Sequence, residues 1–398
     1  MAKFTFHRIV QGGLDTKWSW KEQGTKEYVK FGEDNRFPNH IIDLYNKSSI
    51  HAAAVNSIVQ GIIGKGLTAN EEIYLARANS KGETWNDIFA KAAYDFKLHG
   101  SFALEIIYSR DRSQIADVYH IDFSYVRALE KNRHGHIPGY LISSEWKNGT
   151  RWSKIAEDEV FYLPSFNWES RQEEPSQLYV HQAYRPGQEY YPLPDYMGAL
   201  KVIELDSEID NFHTNNIKNG LAPSLAITTF TNGSDDEKKG IEEGLRANYG
   251  GPDNAGALIY MDVDSKENAP LITPIPQNGA DQYYTTINDL VVQKILTAHR
   301  ITSPMLLGIK TEGQLGGRAE LIDAQMLFQH NVIEPFHQSI LACFEKIMKY
   351  NYQDIVLGVE TETLFSDGEV EEEVITDTNT TDQEDHDINI EETSVDLV

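Results

Sequence analysis

Residues 280–350, ADQYYTTINDLVVQKILTAHRITSPMLLGIKTEGQLGGRAELIDAQMLFQHNVIEPFHQSILACFEKIMKY, read as a helix, a glycine-rich loop and a longer second helix. Tyr284, Ile287, Val291, Ile295 and Ala298 recur every three or four positions, the spacing of one buried helical stripe. The spacing predicts a helix over 280–301, roughly 33 Å long. Pro304 removes a backbone donor and disfavours helical angles at Ser303, so the helix should stop near Ile301 or Thr302. Gly308, Gly313, Gly316 and Gly317 then punctuate a polar loop, 309–318, able to adopt backbone angles closed to other residues. Leu321, Ala324, Phe328, Phe336, Ile340, Phe344 and Ile347 form the stripe of the second helix, with a kink expected between Gln329 and Pro335.

Upstream, the same periodicities give an ordered list of elements. Ile41, Leu44, Ile50, Val55, Ile58 and Ile62 support one or two helices ended by Gly61, Gly64 and Gly66. A helix is predicted over 84–98 and a largely buried strand over 101–109, where Phe102, Leu104 and Ile106 alternate with Ala103, Glu105 and Ile107. Short strands are predicted at 116–121, 126–130, 139–143 and 159–163, separated by turn residues. The polar stretch 169–191 reads as an irregular connection. A helix follows, with Asp195 as its cap and Gly220 at its end. Residues 220–279 read as a βαβ unit: a strand at Leu225, Ala226 and Ile227, a helix from a Ser234/Glu237 capping box to about Asn248, and a second strand over 257–263.

The order of these elements carries a resemblance. HRITSPMLLGIKTEG (299–313) followed by NVIEPFHQSILACFEKIM (331–348) resembles the carboxy-terminal signature of tailed-bacteriophage portal proteins, the head-tail connector family. WSWKEQGTKEYVKFGEDNRFPNHIIDLYNKSSIHAAAVNSIVQGIIGKGL (18–67) is similar to the family's opening. LHGSFALEIIYSR (98–110) and EDEVFYLPSFN (157–167) resemble strands of its wing. The likeness spans 18–350.

What the resemblance implies is an α+β portal-type fold. Its parts would be an α/β wing (1–193), a first stem helix (194–219), a βαβ clip (220–279) and a second stem helix (280–301). The wing would resume over 302–335 with a tunnel loop at 309–318, before a short crown (336–355) and a disordered acidic tail (356–398). The protein would be a structural ring, commonly of twelve subunits, at one capsid vertex. Double-stranded DNA would pass through it. Expected partners are the large terminase, the major capsid protein and a head-completion or adaptor protein. The ring would belong to the virion and assemble in the host bacterial cytoplasm. Another phage structural component, a connector or minor capsid protein, is the alternative; it leaves the order of elements unexplained.

Two groups of residues become candidate contacts. Lys310, Thr311, Glu312, Gly313, Gln314, Leu315 and Arg318 of the tunnel loop would lie nearest the DNA, because lysine and arginine can touch phosphates without reading sequence. Arg318 can equally pair with Glu320 or Asp323. Asp235, Asp236, Glu237, Lys238, Lys239, Glu242 and Glu243 of the clip helix offer a charged surface for the packaging motor, or simply a solvated face.

Composition fits a conduit. The 398 residues carry a formal charge of −26, which argues against a tight static nucleic-acid binder, although ordinary solubility explains the same charge. Half of that charge sits in residues 366–398, with thirteen acidic residues and no lysine or arginine, a composition that cannot form a core. Trp18, Trp20 and Tyr28 mark an aromatic arm that packs either on a neighbour or on its own subunit. No signal-peptide core and no 18-residue apolar run is visible, so neither a membrane nor a secretory route is expected.

An enzyme, a cofactor and a metal are not expected. GIIGKG (61–66) lacks the lysine followed by Ser or Thr that a nucleotide-binding loop needs. His134 and His136 flank a glycine in a turn without a third ligand at metal-binding spacing. Cys343, the single cysteine, sits in an apolar helical run as a small buried hydrophobe.

Overall fold

The computed structural model describes residues 19, 21–24, 28–148, 160–218, 225–229, 239–240, 258–262, 280–309 and 318–361. The chain opens with a hairpin, β1 (Glu22–Gly24) and β2 (Val29–Phe31), followed by α1 (Phe37–Lys47) and α2 (Ser49–Ile63). Ser48 separates the two helices because its hydroxyl accepts the His51 N–H and caps α2. Gly64 ends α2 at a positive φ of 53°. Gly61 does not end it. A Cβ there would meet Ile333 Cδ1 at 2.8 Å, so glycine at 61 permits a close helix approach.

After β3 (Leu67–Ala69), α3 (Trp85–His99) begins at a Thr84/Asp87 capping box and stops at Gly100 in the left-handed conformation. It feeds β4 (Ser101–Tyr108), the centre of an antiparallel sheet ordered β5 (Ile115–Ile121), β4, β9 (Ser176–Gln182). A second antiparallel sheet joins β6 (Val126–Ala128), β7 (Gly139–Ile142) and β8 (Phe161–Pro164). β9 corrects the irregular connection expected over 169–191. It reads as polar because Gln177 and His181 sit among its apolar residues. Both are bonded inside the protein: Tyr108 Oη donates to Gln177 Oε1 at 2.8 Å, and His181 Nε2 lies 2.9 Å from Ser339 Oγ.

The alternation of β4 divides the interior. Phe102, Leu104 and Ile106 enter the main core with α2, α3 and the last helix, whereas Ala103 enters a second core with Phe31, Phe37, Val126 and Leu178. Tyr28 is buried against Leu141 and Trp146 of its own chain, its ring 5.0 Å from that of Trp146. The arm therefore packs at least partly on its own subunit. Trp18 and Trp20 lie outside the described residues.

Two long helices leave this body: α4 (Leu200–Lys218) and α5 (Ala280–Ala298). Asp195 does not cap α4, which starts after a 3-10 turn at Met197–Ala199; the carboxylate is engaged elsewhere, as described below. Between the helices, β10 (Leu225–Thr229) and β11 (Leu258–Asp262) pair in parallel, as a βαβ crossover requires. α5 stops three residues short of the expected end. Arg300 adopts φ 58°, and Ile301 N–H bonds to Leu296 O while Arg300 N–H bonds to Thr297 O. This is a Schellman stop with arginine where glycine is usual.

The last helical segment consists of α6 (Arg318–Phe328), a π-helical turn at Gln329–Ile333 and α7 (Glu334–Met348). The expected kink at 329–335 is thus a π turn with Pro335 just beyond it, where a missing N–H costs nothing extra. The residues expected to supply a short crown, 336–355, fall mostly on α7. Phe336, Ile340, Phe344, Ile347 and Met348 are buried in the main core, and the Phe344 ring meets those of Trp85 and Phe89 edge-on at 5.7 and 5.8 Å. Burial of such a side chain contributes about 1.5–3 kcal/mol, so α7 is held as a core helix. The tail also begins later than 356: β12 (Leu357–Val359) pairs with β3.

Candidate functional site

The strongest concentration of buried polar chemistry lies where α4 and α5 join the body. Lys97, in the last turn of α3, is fully buried, its Nζ lying 5.4 Å from the Tyr196 ring and 5.5 Å from the Phe336 ring. Its Nζ donates to both Asp195 oxygens, at 2.7 and 2.9 Å. Arg300 Nη2, from the turn after α5, donates to Asp195 Oδ2 at 3.0 Å. One carboxylate at the head of α4 therefore ties α3 and the end of α5 together. Burial pushes the Lys97 ammonium below its ordinary pKa, and the Asp195 charge opposes that shift.

A second contact backs the first. His51 Nδ1 of α2 lies 2.9 Å from His299 Nε2, and the Tyr196 ring packs on both imidazoles at 4.7 and 4.8 Å. Burial, aided by the Lys97 charge, holds His51 down to about 3 and His299 well below the usual histidine value, so both are neutral. Tyr196 Oη donates to Leu98 O at 2.7 Å, and burial raises its pKa well above normal. Ser48 Oγ, besides capping α2, donates to Asp206 Oδ2 of α4 at 2.7 Å. His337 Nε2 of α7 donates to Ile62 O at 2.8 Å.

Chemically this arrangement clamps. Its imidazoles are buried and neutral, its hydroxyls bond inward, and its one ammonium is consumed by a carboxylate. Periodicity alone gave no sign of it, since the partners lie up to 275 residues apart. The available signal was Lys97 and His99 adjoining the apolar stripe of α3.

The residues singled out from sequence fall as follows. Residues 310–317, hence Lys310, Thr311, Glu312, Gly313, Gln314 and Leu315, lie outside the described residues; Arg318 is the first residue of α6. Asp235, Asp236, Glu237, Lys238, Glu242 and Glu243 also lie outside them, and Lys239 is helical and exposed. The turn with His134 and His136 is organised by Asn132 Oδ1, which accepts both of their backbone N–H groups. GIIGKG is the end of α2 and its turn into β3. Cys343 is buried, with Sγ 3.1 Å from His181 Nδ1, and burial raises its thiol pKa. Among the described residues, no three His, Cys, Asp or Glu side chains could share a metal ion, and no helix is long and apolar enough to cross a membrane.

Comparison with known proteins adds the following. The family model described as phage portal protein matches residues 65–364. No curated protein matches in sequence. A solved chain titled as the virion of a native gene transfer agent particle is similar at TM-score 0.53 and 13% identity, over 81% of this chain and 84% of that one. A chain from the neck of the native particle, computed with C12 symmetry, gives TM-score 0.53 and 14% identity over 81% and 84%. A phage portal protein of the HK97 family from Corynebacterium diphtheriae gives 0.43 and 11% over 80% and 94%. At these identities the two likenesses of TM-score 0.53 speak for the fold.

Proposed function

Since this chain belongs to the phage portal protein family, we propose that twelve copies close into a ring at one capsid vertex and pass double-stranded DNA inward during packaging and outward during ejection. The observation that carries this is the family match across residues 65–364, supported by the pair of helices α4 and α5 that bracket a parallel β10/β11 unit. The twelvefold count draws on the C12 neck of the similar particle.

In this reading α4 and α5 are the stem, the β10/β11 unit is the clip, and residues 309–318 are the tunnel loop. The wing meets the major capsid protein. The clip, through the charged helix carrying Lys239 and its neighbours, docks the large terminase and later a head-completion or adaptor protein. Such a contact is transient and salt-sensitive. ATP hydrolysis belongs to the terminase. Lys310 and Arg318, repeated around the ring, touch phosphates weakly, and the overall charge of −26 keeps the duplex from sticking.

The clamp described above gives the stem a mechanical footing. The joint Lys97–Asp195–Arg300 links α3 to both stem helices, so force on the stem reaches the core through charged hydrogen bonds. Negative-stain imaging of the purified chain tests the proposal: rings with a central hole are expected, and a monodisperse monomer at every concentration refutes it.

A further inference from the structure

Beside the stem joint lies a cavity of about 540 Å3. Phe96, Leu193 and Phe336 supply its apolar wall, and Arg185, Asp195 and Arg300 its polar one. Both arginines are held in place and not fully used. Arg185 donates through Nε to Leu193 O at 3.2 Å and through Nη2 to Pro194 O at 2.7 Å, leaving Nη1 without a partner among the described residues. Arg300 spends Nη2 on Asp195 and leaves Nε and Nη1 without one. Two guanidinium groups and one carboxylate thus line the pocket, and that carboxylate is already bonded by the buried Lys97 behind it. At the mouth stands Tyr184, 87% exposed, a large ring with an apolar face left in water.

We infer that this cavity is an anchor pocket for a second copy of the chain, which inserts an aspartate or glutamate flanked by an apolar side chain. Charge complementarity selects that occupant: the chain has 61 acidic against 35 basic residues, and this pocket reverses the balance. Guanidinium groups already fixed, Arg185 by backbone carbonyls and Arg300 by Asp195, lose little freedom on taking a carboxylate, and their remaining N–H groups can donate charge-assisted bonds to it. Tyr184 would close over the apolar neighbour, as buried aromatic anchors do at interface centres. A ring makes the contact repeatable, because each copy offers its pocket to one neighbour and a different surface to the other. The inference rests on the ring reading above. It adds that the pocket seals at the base of the stem, so assembly and stem position are coupled through Arg300.

The test places p-benzoylphenylalanine at Tyr184 in the full chain and irradiates assembled material. Cross-links between subunits are expected, with peptide mapping finding an acidic segment of the neighbour. In parallel, Arg185→Gln should raise the protein concentration needed for ring closure about tenfold and weaken its dependence on salt, as loss of an interface arginine does. Rings that form normally while position 184 cross-links only within its own chain, or not at all, overturn the inference and leave the ring reading intact. So does ring closure by Arg185→Gln at an unchanged concentration. A wild-type chain that forms no ring removes both.

Discussion

Replacing Asp195 by asparagine removes the charge that Lys97 was buried against while keeping the shape of the side chain. Lys97 is fully buried, and breaking a buried pair by removing one partner costs about 3–5 kcal/mol. A second route bounds the loss. The variant can shed the Lys97 proton, and from an unfolded pKa of 10.5 that costs about 1.4 kcal/mol per pH unit, hence about 5 kcal/mol at pH 7 and about 2 kcal/mol at pH 9. The sign follows from linkage. Lys97 has a depressed folded pKa, so between that value and 10.5 the unfolded chain binds more protons and stability rises with pH; without Asp195 the depression deepens and the rise is steeper. Urea unfolding followed by the fluorescence of the six tryptophans, at one fixed protein concentration because assembly adds stability, reads the difference. With a slope of about 3 kcal/mol per molar urea, the midpoint should fall by about 1 M or more at pH 7 and by roughly half as much at pH 9. Equal midpoints at pH 7, or a deficit that does not shrink with pH, would refute a buried, charged Lys97 held by Asp195.

Acid should loosen the same joint and the body around it. His51 sits at about 3, and His40 and His181 at about 4, all below the unfolded 6.5, so stability is whole above about pH 6.5 and falls as pH drops toward 4, by up to about 1.4 kcal/mol per unit and group. A melting-temperature profile whose slope lessens in His51→Gln checks this. Gly61→Ala gains up to about 1 kcal/mol of helix propensity but drives a methyl against Ile333 Cδ1, and overpacking costs about 1–3 kcal/mol. The single variant should therefore be neutral to destabilised, and adding Ile333→Val should cost less in that background than in the wild type; equal costs in a double-mutant cycle would show no contact. Deleting residues 312–315 should leave rings and empty shells intact but lower packaged DNA or its retention, and normal DNA content in such virions would remove the loop from any action on the genome.

The helices α1–α5 and strands β4–β8 were legible because their signals are local. Stripes of period 3.6, alternation of period 2 in Phe102–Leu104–Ile106, and the stop at Gly64 depend on residues within a turn or two of one another. The order of those elements also carried the family resemblance. What sequence could not decide depended on distant partners. β9 looked like loop because the groups that satisfy Gln177 and His181 come from Tyr108 and Ser339. Asp195 looked like a helix cap because Lys97, 98 residues earlier, and Arg300, 105 later, are invisible at short range. Arg300 in a glycine conformation is tolerated only because Leu296 and Ile301 close a buried Schellman contact. The apolar stripe of the last helix says only that something covers it. That Trp85, Phe89 and Phe102 do so, making it the centre of the body, was decided by packing, since a hydrophobic face has no directional preference for its partner until the chain has folded.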